Sequence, residues 1–365
     1  MDIRSRPLEE WGDLLGGERP RPIDDRLGWT PQEASAVFCA IVANKTIVRY
    51  TNDTILAGVK SRQGQEEVEK KNALLRYAWM DTAPGVEEDM DSKGQGDPVF
   101  ELQTQLYAEL MEPEGDWAPA LSNGVTFEGI MESQPMLEHF WSRFAAENEN
   151  GRVIVRRVSD GIMPLENAAL AQKSLVHWCS ERRSLSETLM TIPNGLVDGG
   201  NVSNHVLRWS MSECACVRVL YDPGLEKDGP GHHDLVHIEF SPMFLDTSMI
   251  DVKWSHQDML KYRLVSAVRM GSRDTCDKVM IHDVRGGLSR SLRLIPDDDW
   301  QLGQKGFKYM LYYVPIRRTR DSTALAVKIK AEFAAALEGP SIPSELCNIC
   351  SLPATASTQS TEHED

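Results

Sequence analysis

The spacing of apolar residues along the chain changes near residue 205. Before it, apolar positions recur every three or four residues behind helix-capping residues, and this pattern predicts helices. The first predicted helix, of about 13 residues, begins at Pro31 behind the cap Thr30, with Glu33 completing a capping box. Further helices are predicted over 65–80, 100–111, 133–151 and 165–189, and a short strand within 151–161.

After residue 205 the apolar runs are short, rich in β-branched and aromatic residues, and separated by Gly, Pro, Asp and Ser, as is typical of strands. These runs cover 214–221, 235–240, 262–269, 278–284, 290–295 and 307–314. Helices followed by strands indicate an α+β fold, with a mostly helical N-terminal half and a largely antiparallel sheet in the C-terminal half.

Composition divides the chain into four segments. Residues 1–28 mix Pro, Gly and both charges and are expected to form a partly disordered arm. A helical subdomain is predicted over 29–204, interrupted by a flexible acidic loop at 81–98, and a β-rich subdomain over 205–339 that closes with a helix at 321–339. Residues 340–365, rich in Ser, Thr and Pro and then acidic, are expected to be a disordered tail.

The stretch YRLVSAVRMGSRDTCDKVMIHDVRG, residues 262–286, predicts a β-hairpin with a polar connecting loop. Simple alternation places Tyr262, Leu264 and Val268 on one face of its first strand, and Val279 and Ile281 on one face of the second. The hairpin therefore has a side that can pack on a core.

The charge of the chain disfavours polyanionic partners. Its 39 Lys and Arg residues against 55 Asp and Glu residues give a net charge of −16, which repels nucleic acid and anionic lipid surfaces. No apolar run approaches the roughly 20 residues that span a bilayer. Seven cysteines and an N-terminus without an apolar signal segment indicate reduced thiols in a soluble cytoplasmic or nuclear protein.

Histidines and cysteines provide two candidate metal sites. His232, His233 and His237 lie close together in sequence, but their pattern favours an exposed turn carrying two histidines and one half-buried strand histidine over a metal site. Cys214 and Cys216 resemble half of a zinc pattern and Cys347 and Cys350 the other half, but they are far apart in sequence. We therefore expect no metal and no cofactor.

None of the standard motifs for serine hydrolases, NTPases, zinc proteases or dinucleotide binding occurs in the chain. A cysteine nucleophile needs a helix N-terminus or a neighbouring imidazole to stabilise its thiolate. Cys39 lies about two turns into the first predicted helix, beyond the reach of the helix dipole, and Cys179 is predicted to lie in the middle of a helix. Both positions favour buried structural thiols.

Three motifs in the C-terminal half occur in the same order as in a known family. FSPMFLDTS at 240–248, YRLVSAVRMGS at 262–272 and YMLYY at 309–313 resemble the C-terminal part of the ubiquitin-specific proteases, the papain-like deubiquitinases. The resemblance implies a papain-like α+β architecture. It also implies a protein partner, ubiquitin or a ubiquitinated protein.

The resemblance does not extend to the catalytic residues. Where the family carries Gly-His-Tyr, this chain has Asp277-Lys278-Val279, and the family box that sets the nucleophile at a helix N-terminus has no counterpart. If a triad exists, its candidates are Cys39, His282 and Asp299, the last within the acidic run at 297–299. A triad that lacks both base and nucleophile implies a catalytically inactive or strongly divergent member.

Three functional hypotheses remain open at this point. The first is a catalytically inactive ubiquitin-specific-protease-like domain that acts by protein binding. The second is an unrelated α+β scaffold or regulatory protein, and the third an active cysteine-type deubiquitinase or related thiol hydrolase with a rearranged site. A fold in which the strands beginning near 214, 262 and 307 are not neighbours in one sheet would favour the second, and the third requires Cys39 or Cys179 within hydrogen-bond reach of a histidine, His282 first.

Overall fold

The fold is described from a computed structural model. It describes residues 23–57, 69–78, 80, 98–142, 154–156, 162–163, 171–172, 174–180, 183–191, 207–208, 215–241, 243–246, 253–256, 258–271, 275–282 and 300–316. The helices are α1 Pro31–Ala57, α2 Ala73–Ala78, α3 Pro98–Leu110, α4 Ala118–Leu121, α5 Phe127–Met131, α6 Gln134–Met136, α7 Leu185–Thr191 and α8 His232–Leu235. The strands are β1 Ile154–Arg156, β2 Ile162–Met163, β3 Leu175–Cys179, β4 Leu207–Arg208, β5 Val217–Asp222, β6 His237–Phe240, β7 Met243–Asp246, β8 Lys253–His256, β9 Leu260–Met270, β10 Lys278–Ile281 and β11 Lys308–Pro315.

Helix α1 begins as the sequence predicts. The backbone N–H of Glu33 donates to Thr30 Oγ1 (3.2 Å) and the backbone N–H of Thr30 donates to Glu33 Oε2 (2.9 Å), which is a complete capping box. The helix is 27 residues long, about twice the predicted length. The prediction ended it at the polar pair Asn44-Lys45, which turns out to be buried.

The buried polar residues of α1 continue the helix because they have hydrogen-bond partners. Lys45 Nζ donates to the carbonyl oxygen of Met80 (2.7 Å), and Asn44 Nδ2 donates to that of Leu74 (3.4 Å). The pair thereby holds the segment around α2 against α1, since a buried polar group is tolerated when it is hydrogen-bonded.

The main sheet contains strands from both halves of the chain. Its order is β10-β9-β11-β5-β3, and β6 pairs with β9 beside β10. Among the described pairs, β3 runs parallel to β5 and all others are antiparallel, so the sheet is mixed. Helices packed on a mixed sheet confirm the α+β class.

Strand β3 corrects one sequence prediction. Residues 165–189 were expected to be one helix, but 175–179 form a strand that pairs with β5 from Leu175↔Arg218 to Cys179↔Asp222. In this strand Val176 and Trp178 are buried while His177 is exposed. The alternation that defines a strand was present in the sequence, but the helix-forming residues on both sides of it dominated the prediction.

The hairpin of β9 and β10 is confirmed, with Val279 opposite Val268 and Ile281 opposite Ser266. The predicted face of Val268 is wrong. The register between β9 and β11 shifts after Tyr312↔Ser266 to Tyr313↔Leu264, so Val265 is an extra residue in β9. A bulge of one residue reverses the alternation, which places Val268 on the face opposite Tyr262 and Leu264.

The sheet separates two hydrophobic clusters. One face packs on α1 to α6 through Leu220, Val268, Met310 and Tyr312, and Val279 and Ile281 of β10 also lie on this side, as predicted. The other face carries Tyr221, Tyr262, Tyr309 and Tyr313 and packs on α7 and on the segment around Trp300. Both faces are therefore covered, as in a typical layered domain.

Two smaller sheets, β2-β1-β4 and β7-β8, complete the described strands, and β1 confirms the strand predicted within 151–161. Helix α3 and the segment 134–142 agree with the predicted helices over 100–111 and 133–151 as far as they are described. Several predicted elements lie outside the described residues: the strand 290–295, the helix 321–339, the tail 340–365, and most of the arm 1–28 and of the acidic loop 81–98. No helix in the described part of the chain combines the length and the apolar character that crossing a bilayer requires.

Candidate functional site

The loop that precedes β10 packs against the first turns of α1. The backbone N–H of Asp277 donates to Ser35 Oγ (2.9 Å), and the Cys276 thiol lies 3.6 Å from the carbonyl oxygen of Pro31. Ser35 Oγ in turn donates to the carbonyl oxygen of Gln32 (2.7 Å). This contact joins the N-terminus of the long helix to the loop of the hairpin, across more than 240 residues of chain.

The Asp277 carboxylate is held by backbone amides. Its Oδ1 accepts a hydrogen bond from the N–H of Gly271 (2.6 Å), and the backbone of Phe127 supplies another. Burial raises the pKa of Asp277 above its ordinary value, while these two hydrogen bonds and the charge of Arg269 oppose the rise. Asp277 therefore links Gly271, which follows β9, to the residues that precede β10.

Cys39 lies in the interior of α1 and is 1% exposed. Burial raises the pKa of its thiol well above the ordinary value, and the nearby Asp277 and Cys276 raise it further. A nucleophile needs the opposite shift, because only the thiolate attacks. The neighbours of this candidate are acidic groups rather than an imidazole, so Cys39 has the surroundings of a structural thiol.

His282 follows the last residue of β10 and is also 1% exposed. Its Nδ1 lies 3.1 Å from Nε2 of His232, and the two rings stack with centroids 4.5 Å apart. Its backbone N–H donates to Val265 (2.9 Å), and Tyr50 Oη donates to its carbonyl oxygen (3.4 Å). One partner of the His282 ring is thus another histidine, and this contact joins α8 to the end of β10.

The electrostatic surroundings keep the His282 ring neutral. Burial, then His232 and then Arg263 lower the pKa of His282 to about 3. Burial, then His233 and Arg263 also lower the pKa of His232. One ring nitrogen of the pair must accept a hydrogen bond, and only a neutral ring can do so. The groups that shift the pKa of His282 include His232 and Arg263, whereas those that shift the pKa of Cys39 include Asp277 and Cys276.

Four of the remaining predicted site residues lie outside the described residues, namely Asp299, Cys214, Cys347 and Cys350. His232 and His233 lie on α8 and His237 on β6, the last two exposed. Within the described ranges no three His, Cys, Asp or Glu side chains are grouped so that they could hold a metal ion. Cys216 is buried and Cys179 half-buried on β3.

Sequence reasoning missed the contact of Pro31 and Ser35 with Cys276 and Asp277, and the pairing of His232 with His282. The first joins residues more than 240 positions apart, and the second joins residues 50 positions apart. Spacing along one element carries no signal for either, because both depend on how α1 and α8 pack on the hairpin.

The burial of Cys39 leads to a prediction about thiol reactivity. We expect iodoacetamide to modify the half-exposed Cys276 in the native protein and to modify Cys39 only after unfolding, because the reagent needs access and a thiolate. Mass spectrometry of the protein alkylated with and without denaturant measures the extent of modification of Cys276 and of Cys39. Native labelling of Cys39 at a rate similar to that of Cys276 would contradict the buried position.

Comparisons with protein-family models, with curated proteins and with solved structures found no match to this chain.

Proposed function

We propose that this chain is a divergent, catalytically inactive domain of the ubiquitin-specific-protease type that acts by binding a protein, with ubiquitin or a ubiquitinated protein as the first candidate partner. The observation that carries the proposal is the contact between the N-terminus of α1 and the loop before β10. A thiol protease needs its nucleophile at a helix N-terminus and its base on a neighbouring strand. Here this position carries Pro31 and Ser35 on one side and Asp277 and Lys278 on the other.

The neighbours in the sheet support the architectural part of the proposal. The strands that carry the family-like motifs, β9 and β11, pair with each other from Tyr262↔Pro315 to Met270↔Lys308, and β11 pairs with β5. Two of the three family-like motifs therefore lie on neighbouring strands of the main sheet, and Phe240 of the third lies on β6, which also pairs with β9. This adjacency is compatible with a papain-like arrangement.

The surroundings of the thiols support the inactive part of the proposal. Cys39 is buried with a raised pKa, and His282 is buried with a lowered one and is paired with His232. A catalytic pair would need an accessible thiolate that an adjacent imidazole stabilises. The net charge of −16 is compatible with a partner that presents a basic face.

Two assays test the two parts of the proposal. We expect no covalent product when the full chain is incubated with ubiquitin that carries a thiol-reactive group at its C-terminus, and saturable binding of unmodified ubiquitin in a calorimetric titration. The variants Cys39→Ala and Cys276→Ala identify the thiol if a product forms. A product lost in Cys39→Ala would refute inactivity, and the absence of any ubiquitin binding would refute the partner.

A further inference from the structure

Arg269 lies near the C-terminal end of β9, in a slot formed by aromatic side chains. It is 8% exposed, and its Cζ lies 4.5 Å from the ring centroid of Phe307 and 5.7 Å from that of Trp300. Its neighbour on β11 is Tyr309, and its neighbour on β10 is Lys278. We call these five residues the Arg269 slot.

The guanidinium of Arg269 has no acidic partner in the described part of the chain. Its Nε is buried without a hydrogen-bond acceptor there. The carboxylate that it interacts with electrostatically, Asp277, accepts hydrogen bonds from the backbones of Gly271 and Phe127 instead. A buried charged donor without an acceptor is costly, so the slot has an unmet requirement for an anion.

Lys278 strengthens this requirement. It is directly opposite Arg269 in the antiparallel pairing of β9 and β10, and like charges in that position destabilise a sheet. Burial and then the charge of Arg269 lower the pKa of Lys278, and burial lowers the pKa of Arg269. An anion beside the guanidinium would reduce the repulsion between the two cations.

We propose that the Arg269 slot binds a carboxylate of a second molecule, which pairs with the N–H groups of Arg269 and is supported by Lys278. The planar fork of a guanidinium matches the two oxygens of a carboxylate. Both oxygens of a carboxylate can pair with one guanidinium, whereas a phosphate has further oxygens outside that plane that would need partners of their own. This inference does not depend on the proposed function, because it rests on the buried Nε of Arg269, whereas the proposed function rests on the contact between α1 and the loop before β10; the two regions share only Lys278.

The experiment follows the Nε–H resonance of Arg269 in the ¹⁵N-labelled full chain, assigned by its loss in Arg269→Gln. Acetate, phosphate and chloride are titrated at matched ionic strength. We expect a saturable shift with acetate, none with chloride, and a weaker response to phosphate. In Arg269→Lys the acetate affinity, read from backbone amides of β9 and β10, should fall about tenfold, because a lysine cannot form the bidentate pair.

The control is Arg26→Gln. Arg26 also lies over an aromatic ring, that of Phe100 at 4.1 Å, but it already forms an ion pair with Asp24 at 2.6 Å. This variant should leave the acetate response unchanged.

A second pair of probes, N-acetyl-aspartyl amide and its asparaginyl counterpart, distinguishes a peptide side chain from a free acid. Tighter binding of the aspartyl compound than of acetate indicates a peptide carboxylate.

Three outcomes would overturn the inference. They are the absence of a saturable acetate shift in the wild type, an acetate response of β9 and β10 that persists in Arg269→Gln, and tighter binding of phosphate than of acetate. Because the wild-type titration decides the first and third without any variant, a folding defect in Arg269→Gln does not leave the question open.

Discussion

Replacing Arg218 with methionine is expected to lower the free energy of unfolding by about 3–5 kcal/mol. Arg218 is 1% exposed and lies on β5, where Nη1 forms an ion pair with Glu132 Oε1 at 2.6 Å. Nη2 donates to the carbonyl oxygen of Ala171 and to Ser174 Oγ (3.0 Å). The guanidinium also lies 4.4 Å from the ring centroid of Trp141. One side chain thus joins the sheet to the helical layer, and its loss leaves a largely buried carboxylate without its cation.

The pH dependence of this loss identifies its cause. Burial raises the pKa of Glu132, and the charge of Arg218 opposes the rise. Without Arg218 the pKa of Glu132 in the folded state should rise further above the unfolded value. A carboxyl group whose pKa is higher in the folded than in the unfolded state destabilises the protein as the pH rises from the unfolded pKa to the folded pKa. The difference in free energy of unfolding between wild type and Arg218→Met should therefore become smaller as the pH falls toward the unfolded pKa of Glu132.

Urea titrations of tryptophan fluorescence at several pH values measure the effect. The matched control is Lys261→Met, which breaks an ion pair of similar length, 2.7 Å to Glu239, whose side chains are 56% and 45% exposed. Lys261→Met should lower the free energy of unfolding by less than about 1 kcal/mol. The double variant Arg218→Met with Glu132→Gln should recover part of the lost stability. Equal losses for Arg218→Met and Lys261→Met would contradict a buried role.

The sequence was sufficient for the parts of the fold that depend on local patterns. The capping box at Thr30, the turn between β9 and β10, and the strands at the end of the described chain all follow from residues that are close in sequence. Apolar alternation and capping are short-range signals, and they predict element type well where a run is long and flanked by breakers.

The wrong predictions share a physical cause, which is tertiary context. The helix-forming residues on both sides of β3 lead to a predicted helix, whereas parallel pairing with β5 stabilises these residues as a strand. The bulge at Val265 follows from register with β11, which no residue in β9 indicates. Helix α1 continues through Asn44 and Lys45 because partners far away in sequence accept their hydrogen bonds.

The candidate site was predictable only in part, for the same reason. The surroundings of Cys39 follow from its depth in a helix, whereas those of His282 depend on a histidine of another element. The sequence suggested His232, His233 and His237 as a group because they are adjacent. In the structure His232 faces His282, while His233 and His237 are exposed. Adjacency in sequence was therefore a poor guide to which imidazoles meet.

The buried His282, which pairs with the half-buried His232, should make the protein less stable as the pH falls below 6.5. Burial lowers the pKa of His282 to about 3, so between these two values the unfolded chain binds a proton at this ring and the folded chain does not. The free energy of unfolding then decreases with falling pH by up to about 1.4 kcal/mol per pH unit. The full contribution of the neutral His282 ring is present above its unfolded pKa. The groups that oppose protonation are His232 on α8 and Arg263 on β9, and Tyr50 of α1 holds the backbone of His282 in place.

The variant His282→Gln separates this effect from general acid unfolding. Glutamine can still hydrogen-bond with His232 but does not titrate, so the variant should be less stable than the wild type at pH 7 and its stability should fall less steeply between pH 6.5 and 4. His177→Gln, which removes an exposed histidine of β3, should keep the wild-type slope. The free energy of unfolding from urea titrations at each pH gives the three slopes. If wild type and His282→Gln lose stability at the same rate, the acid sensitivity comes from other groups, and the pair of histidines is only a packing contact between α8 and the end of β10.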